Sequence, residues 1–448
     1  VSDTDPTTET TDTRLRRAIS GRMLFLFILG DVLGAGIYAL VGEVAGEVGG
    51  AIWVPLVVAL ALAMLTAASY AELVTKYPRA GGAAVFAQRA YGRPVLSFLV
   101  GWCMLAAGVT SAAGLALAFA GDYLAVFLDV PAVPAALVFL LLVALLNARG
   151  IQESVRANVV MTVVEVGGLL LVIGLGVLVL GRGDGDLGRT VEFPPGVSAG
   201  SAVLGAALLA YYSFVGFETS ANVAEEVRDV RRTYPTALFG ALLTAGAVYV
   251  LVGLTASIVL APEELAGSSG PLLAVVQASG AGVPDQLFSA VALVAVANGA
   301  LLTMIMSSRL VFGLAEQGLL PAPFGRVLPR RRTPWVAIVV TTAVAMGLTL
   351  TGDLATLATT VVLLLLLVFL STNVAVIVLR RDEVGHAHFR APLVLPVLAV
   401  GSCLLLLAQQ EAGTWLRAGV LLAVGLLLYG LARVAGRRTT DDAVARRP

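Results

Sequence analysis

At 448 residues, 58% of them hydrophobic and 13% charged, with a mean hydropathy of +0.93, the chain carries too much apolar surface for a water-soluble protein of two or three domains. Its 29 basic and 29 acidic side chains cancel, so the informative quantity is where the charges sit. Two cysteines (Cys103, Cys403), both in apolar runs, and two histidines (His386, His388) give no disulfide framework or Cys/His metal site.

Residues 1–20, "VSDTDPTTETTDTRLRRAIS", are acidic and Thr-rich, unlike the basic start of a cleaved signal peptide, and are expected to form a disordered cytoplasmic tail. Beyond them, runs of about 20 apolar residues give about twelve transmembrane helices. They fall at 23–46, 51–75, 95–125, 132–148, 157–180, 200–222, 236–260, 286–315, 334–351, 354–379, 392–408 and 413–434. With the first tail inside, all of the 29 basic residues except Arg182, Arg189 and Arg417 fall in cytoplasmic loops or tails. That asymmetry supports both the span count and cytoplasmic termini in a cell membrane. Arg330, Arg331 and Arg332 fit the same rule and call for no nucleic acid, and His386 and His388 are expected in an exposed cytoplasmic loop. The loops are too short to hold a soluble enzyme domain, and neither an HExxH motif nor a nucleophile–base constellation is visible; no cofactor is expected.

The first span contains "GDVLGAGIYALVG", where Gly34, Ala35 and Gly36 are too small to resist unwinding. Span 6 contains a second such stretch, "YYSFVGFETSAN" (Tyr211 to Asn222). Non-helical backbone at membrane depth survives only where it is buried in protein or lines a cavity. Spans 1 and 6 open two successive groups of five, and matching interruptions in corresponding halves point to an inverted-repeat transporter. Half-helix N-termini would face an anion and unwound carbonyls a cation, and an amino acid zwitterion carries both. Close helix packing is the competing explanation of the small residues.

The stretches "GDVLGAGIYALVGEVAG", "YYSFVGFETSANVAEEVRDVRRTYPTAL" and "SSRLVFGLAEQGLLP" resemble span 1, span 6 with its following loop, and the end of span 8 in the amino acid–polyamine–organocation (APC) superfamily. The similarity runs from about residue 18 to 434 and is greatest to the cationic-amino-acid-transporter-like branch. It implies an all-α polytopic membrane protein with a LeuT-like fold: repeats over 21–180 and 200–380, two further helices over 390–434, discontinuous helices 1 and 6, and a C-terminal tail from 435. By match, the amides of Ala35, Gly36 and Ile37 would hold the substrate carboxylate. The carbonyls of Tyr212, Ser213 and Val215 would take the amino group, with Phe214 and Phe217 as gate or pocket walls.

Several relatives carry an acid in span 3 after "GW", where this chain has Ala106, Ala107 and Gly108. A small, apolar wall has nothing to pair with a buried guanidinium or ammonium, so neutral amino acids are expected over cationic ones or polyamines. Among ionisable residues within spans, Asp31, Glu165 and Glu218 are the coupling candidates. Proton-coupled relatives often have a lysine where this chain has Glu165, and the resemblance would place Asp31 beside it, two carboxylates sharing a proton. Glu218 serves equally well as a brace of the broken helix. A sodium ion would need span 8 hydroxyls; "VANGALL" has none, although Asn298 offers an amide and Thr303 follows, so a proton is favoured over sodium. The charged stretch Ala224 to Pro235 reads as a solvated loop helix. A channel or substrate-sensing receptor is the alternative from another class, but no span shows the recurring polar lining of a pore.

Overall fold

Lipid offers backbone N–H and C=O groups no partner, so each apolar run must satisfy its polar groups internally. The computed structural model describes residues 19–78, 81–149, 154–328, 331 and 333–445 and is helical accordingly; among these residues there is no strand, only an isolated bridge between Ile19 and Val227. The expected N-terminal tail lies outside the described residues up to position 18, as do Arg79, Arg330 and Arg332.

In chain order the helices are α1 (Gly21–Val32), α2 (Ala35–Val48), α3 (Trp53–Lys76), α4 (Gly82–Tyr91), α5 (Pro94–Phe119), α6 (Asp122–Ala125), α7 (Ala132–Arg149), α8 (Ser154–Arg182) and α9 (Ala199–Tyr212). A 3-10 segment, Phe217–Glu226, precedes α10 (Val230–Val259), α11 (Pro262–Ala266), α12 (Pro271–Ala278) and α13 (Asp285–Glu316). The chain continues with α14 (Trp335–Thr349), α15 (Leu354–Leu379), α16 (Val394–Ala408) and α17 (Ala412–Ala445). Nine stretches of the described residues are long and apolar enough to cross a membrane, or ten when α1 and α2, bent by 42° at their junction, are taken as one span. The two remaining expected spans are α14 and α16, of 15 residues each. Such a helix rises about 22 Å, short of the ~30 Å hydrocarbon layer, which is why they fall below the length of a full span.

Hydropathy marks the part of a helix that lipid can solvate, not where its hydrogen bonds begin. Thus α10 starts at Val230 rather than 236 and carries Pro235 inside it, and α17 continues to Ala445 past the expected boundary at 434. The charged stretch expected as one loop helix is split: its acids end the 3-10 segment, Asp229 takes a left-handed φ of 44°, and its arginines open α10. Side-chain caps fix other starts: the Ser20 hydroxyl accepts from Met23 N–H, and the Asp353 carboxylate accepts from Thr356 N–H at 2.8 Å.

Helices α5, α13 and α15 pack at the centre, with α3 against α10 and α9 against α2. Peripheral faces present apolar side chains outward, such as Val177 and Leu416, exposed by 67% and 70%, as a lipid-solvated surface requires. On the side where α1 begins, a polar knot ties α3 to the end of α15. The buried Glu72 carboxylate accepts from Arg380 and from Ala391 N–H, both at 2.9 Å, and Lys76 Nζ donates to the Leu379 carbonyl at 2.6 Å. The Tyr77 hydroxyl donates to Asp382 at 2.5 Å, holding that carboxyl below its usual range, and Arg89 lies over the Tyr77 ring at 4.1 Å.

Candidate functional site

Both expected interruptions are real. After α1 the chain passes through Leu33 and Gly34, whose ψ of −162° leaves the helical region, and restarts as α2 with no side-chain cap. Span 6 stops at Tyr212, turns through Ser213 to Gly216, and resumes as the 3-10 segment rather than an α-helix. The two breaks touch main chain to main chain. A β-carbon on Gly36 would lie 2.8 Å from Ser213 Cα, and one on Gly216 would lie 2.8 Å from the Asp31 carbonyl oxygen. Gly216 also has a φ of +125°, so glycine is required there by conformation as well as space.

Side chains bind the crossing. The fully buried Tyr249, from α10, donates to the Val32 carbonyl of the first break and lies 3.0 Å from the Ser213 carbonyl of the second. The Thr219 hydroxyl donates to the Asp31 carboxylate and stands 2.8 Å from the Gly216 carbonyl. Glu218, also buried, accepts from Gly216 N–H at 2.9 Å, the bracing contact expected as its second role.

A cavity of about 450 Å³ opens from this crossing toward the side where α1 begins. Gly34, Gly36, Tyr212, Ser213 and Val215 line its floor, and Glu226 and Arg309 stand in its wall toward that side. Ala107 and Gly108 contribute the small-residue face of α5, as the span 3 sequence implies. Leu115, Val361 and Leu365 add an apolar wall, and Ser111, from α5, meets the Tyr212 hydroxyl at 2.7 Å. The far side is shut: α11 packs on α2 so closely that a β-carbon on Gly42 would meet the Leu265 carbonyl at 2.4 Å. There the Tyr123 hydroxyl also donates to the Tyr38 carbonyl at 2.8 Å, and Asp122 holds Ser268 and Gly270.

Not every expected residue faces this cavity. Ile37 is 1% exposed in the core behind it. Phe214 packs edge-on against Tyr249 at 5.2 Å, and Phe217 stacks on Phe369 at 5.4 Å, so the backbone turn places both rings in the core rather than in the cavity lining. Glu165 is fully buried in α8, where Asn298 Nδ2 donates to Oε1 at 3.0 Å while Oε2 has no partner. Asp31 and Glu165 therefore share no hydrogen bond. α1 does touch α8 one turn away, since a β-carbon on Gly30 would lie 2.1 Å from Thr162 Oγ1, but Thr219 has claimed the Asp31 carboxylate from the span 6 side.

The profile of the family described as "Amino acid permease" matches residues 19–421. The chain belongs to the amino acid permease family, within the APC superfamily. The permease is 28% identical over 440 residues to the methylthioribose transporter of Bacillus subtilis, covering 93% of each chain. It is 26% identical over 441 residues to the branched-chain amino acid permease BcaP of the same organism, again covering 93% of each. It is 30% identical over 393 residues to the vacuolar cationic amino acid transporter 4 of Arabidopsis thaliana, covering 82% of this chain and 64% of that one. It is thus an integral membrane transport protein of the kind the motifs indicate.

Sequence reading missed Tyr249 and Thr219. Tyr249 is one aromatic residue in an apolar span with no neighbouring motif, and only the fold reveals that it reaches both breaks. Thr219 does lie inside "YYSFVGFETSAN", three residues after a glycine, so a helix-internal hydroxyl beside a break was the available signal.

Proposed function

We propose that this permease is a secondary transporter that moves a neutral amino acid by alternating access, coupled to protons, with its termini and the open mouth of the cavity on the cytoplasmic face of a cell membrane. The observation that carries the reading is the main-chain crossing of the two breaks at the cavity floor. It puts the start of α2, with its uncapped amides, beside the unwound carbonyls of span 6, so a carboxylate and an ammonium one carbon apart have opposite partners. The backbone amides of Ala35, Gly36 and Ile37 serve the carboxylate, Ile37 through its N–H alone because its side chain packs in the core, and the carbonyls of Tyr212, Ser213 and Val215 serve the amino group. The twelve spans form five-plus-five inverted repeats, with α1–α2 and α9 with its 3-10 extension as the matching first members.

The relatives' names span a thiosugar, branched-chain and cationic amino acids, so membership alone does not choose the side chain. The apolar wall of Leu115, Val361 and Leu365 favours a neutral one. Asp31, Glu218 and Glu226 in the same cavity favour a cationic substrate as the second reading, but Asp31 and Glu218 already accept hydrogen bonds from Thr219 and Gly216. Coupling rests on Asp31, with Glu165 and Glu218 as further buried carboxylates, and a proton suits them better than sodium because Asn298 is already turned to Glu165. The test is counterflow in proteoliposomes. Unlabelled alanine should suppress uptake of labelled alanine at concentrations where arginine does not, and an inward-acid gradient should drive accumulation without sodium. Flux that neither saturates nor exchanges would instead indicate a channel.

A further inference from the structure

The hydroxyl of Thr219 carries one proton and faces two acceptors, the Asp31 carboxyl and the Gly216 carbonyl. An ionised Asp31 only accepts. It then takes the Thr219 proton, and the Gly216 carbonyl keeps just the Thr219 N–H at 3.0 Å. A protonated Asp31 donates instead, its O–H going to Thr219 Oγ1 and the Thr219 proton to the Gly216 carbonyl, so every bond in the chain is made at once. Gly216 is the residue at φ +125° whose α-carbon abuts the main chain of Asp31, so the carbonyl being served belongs to the turn that sets the second break.

We infer that Thr219 is a positioning residue that reports the protonation of Asp31 to the span 6 break, tightening the first turn of the 3-10 segment when Asp31 holds a proton and loosening it when Asp31 is ionised. This rests on the reading of Asp31 as the proton site. The other titratable groups facing Asp31 are Glu165 from α8 and Glu218 from the 3-10 segment, while Tyr249 from α10 reaches the carbonyl of the next residue, Val32, and Glu226 and Arg309 line the same cavity. Glu218 is the competing source of a pH response at Gly216, since it accepts from that residue's N–H.

The test is amide hydrogen exchange of the full-length permease in lipid nanodiscs at pH 5.5 and 8, corrected for intrinsic rates and read on peptides covering 213–226, with no substrate added. Wild type should lose protection by roughly tenfold at the higher pH, the scale of one hydrogen bond. Asp31→Asn, whose amide donates to Thr219 at any pH, should stay protected at both, and Thr219→Val should stay unprotected at both. Thr219→Ser should respond as wild type does, and Thr219→Ala, run in parallel, replaces the valine variant if that does not fold. A Thr219→Val or Thr219→Ala protein that keeps the wild-type response while Asp31→Asn loses it overturns the role of Thr219 and leaves Asp31 as the proton site. An Asp31→Asn protein that keeps the response overturns the proton-site reading, and the role of Thr219 with it.

Discussion

Replacing Tyr249 by phenylalanine removes one hydroxyl and almost no volume, so the effect isolates the bond between the two breaks. The ring keeps its contact with Phe214 at 5.2 Å, and the helix around it is unchanged. What is lost is the donor that the Val32 and Ser213 carbonyls share in a fully buried position. Leaving a buried acceptor without its partner costs about 1–3 kcal/mol. At about 2 °C per kcal/mol, the low end of the scale and suited to a long chain, that is a fall in apparent melting temperature of about 2–6 °C. Because the lost bond joins the breaks, counterflow in proteoliposomes should fall by more than stability alone accounts for, even at temperatures well below the transition. A Tyr249→Phe protein that melts within 1 °C of wild type, as a rough threshold, and exchanges substrate at the wild-type rate would refute the claim that this hydroxyl holds the crossing.

Other perturbations test separate parts of the structure. Gly36→Ala places a β-carbon 2.8 Å from the Ser213 backbone, an overpacking of about 1–3 kcal/mol, and should depress counterflow, whereas Gly167→Ala, with nothing within 4 Å, should not. Glu72→Ala strands the guanidinium of Arg380, only 14% exposed, and should cost about 3–5 kcal/mol, read as a large drop in melting temperature or folded yield. Asp353→Ala removes the cap of α15 and should cost about 1 kcal/mol. The Thr356 hydrogen bonds hold the Asp353 carboxyl below its usual range, so the cap's contribution is complete above that range and is lost only as pH falls through the lowered value. The difference in melting temperature between wild type and Asp353→Ala should therefore be flat from pH 5 to 8 and shrink in stronger acid.

The sequence revealed the membrane class, the helix order and both interruptions, because each follows from a strong local constraint: lipid demands long apolar runs, and glycines at membrane depth mark where a helix can open. The directions of side chains at those openings were not legible. The resemblance makes Phe214 and Phe217 gate or pocket walls, yet the turn through Gly216 packs them in the core against Tyr249 and Phe369. The resemblance puts Asp31 beside Glu165, but proximity to Thr219 depends on how the breaks cross, and Asn298 reaches Glu165 from a helix far along the chain. Pairings of that kind are tertiary and leave no periodic trace. The expected spans at 334–351 and 392–408 are present as α14 and α16, trimmed at their ends because hydropathy extends past the residues that hydrogen-bond as helix.

The crossing of the breaks also has a kinematic consequence. Where Gly36 meets Ser213 and Gly216 meets Asp31, the glycine side of each contact has no side chain to change rotamer and absorb a displacement. Sliding one half-helix past the other would drive those close contacts into overlap, so the geometry favours their turning together, as the two leaves of a hinge turn about its pin. In the alternating access proposed above, the slippage that changes which side of the membrane sees the cavity then belongs to the seams around that pin, where α5 and α13 present side chains to the cavity.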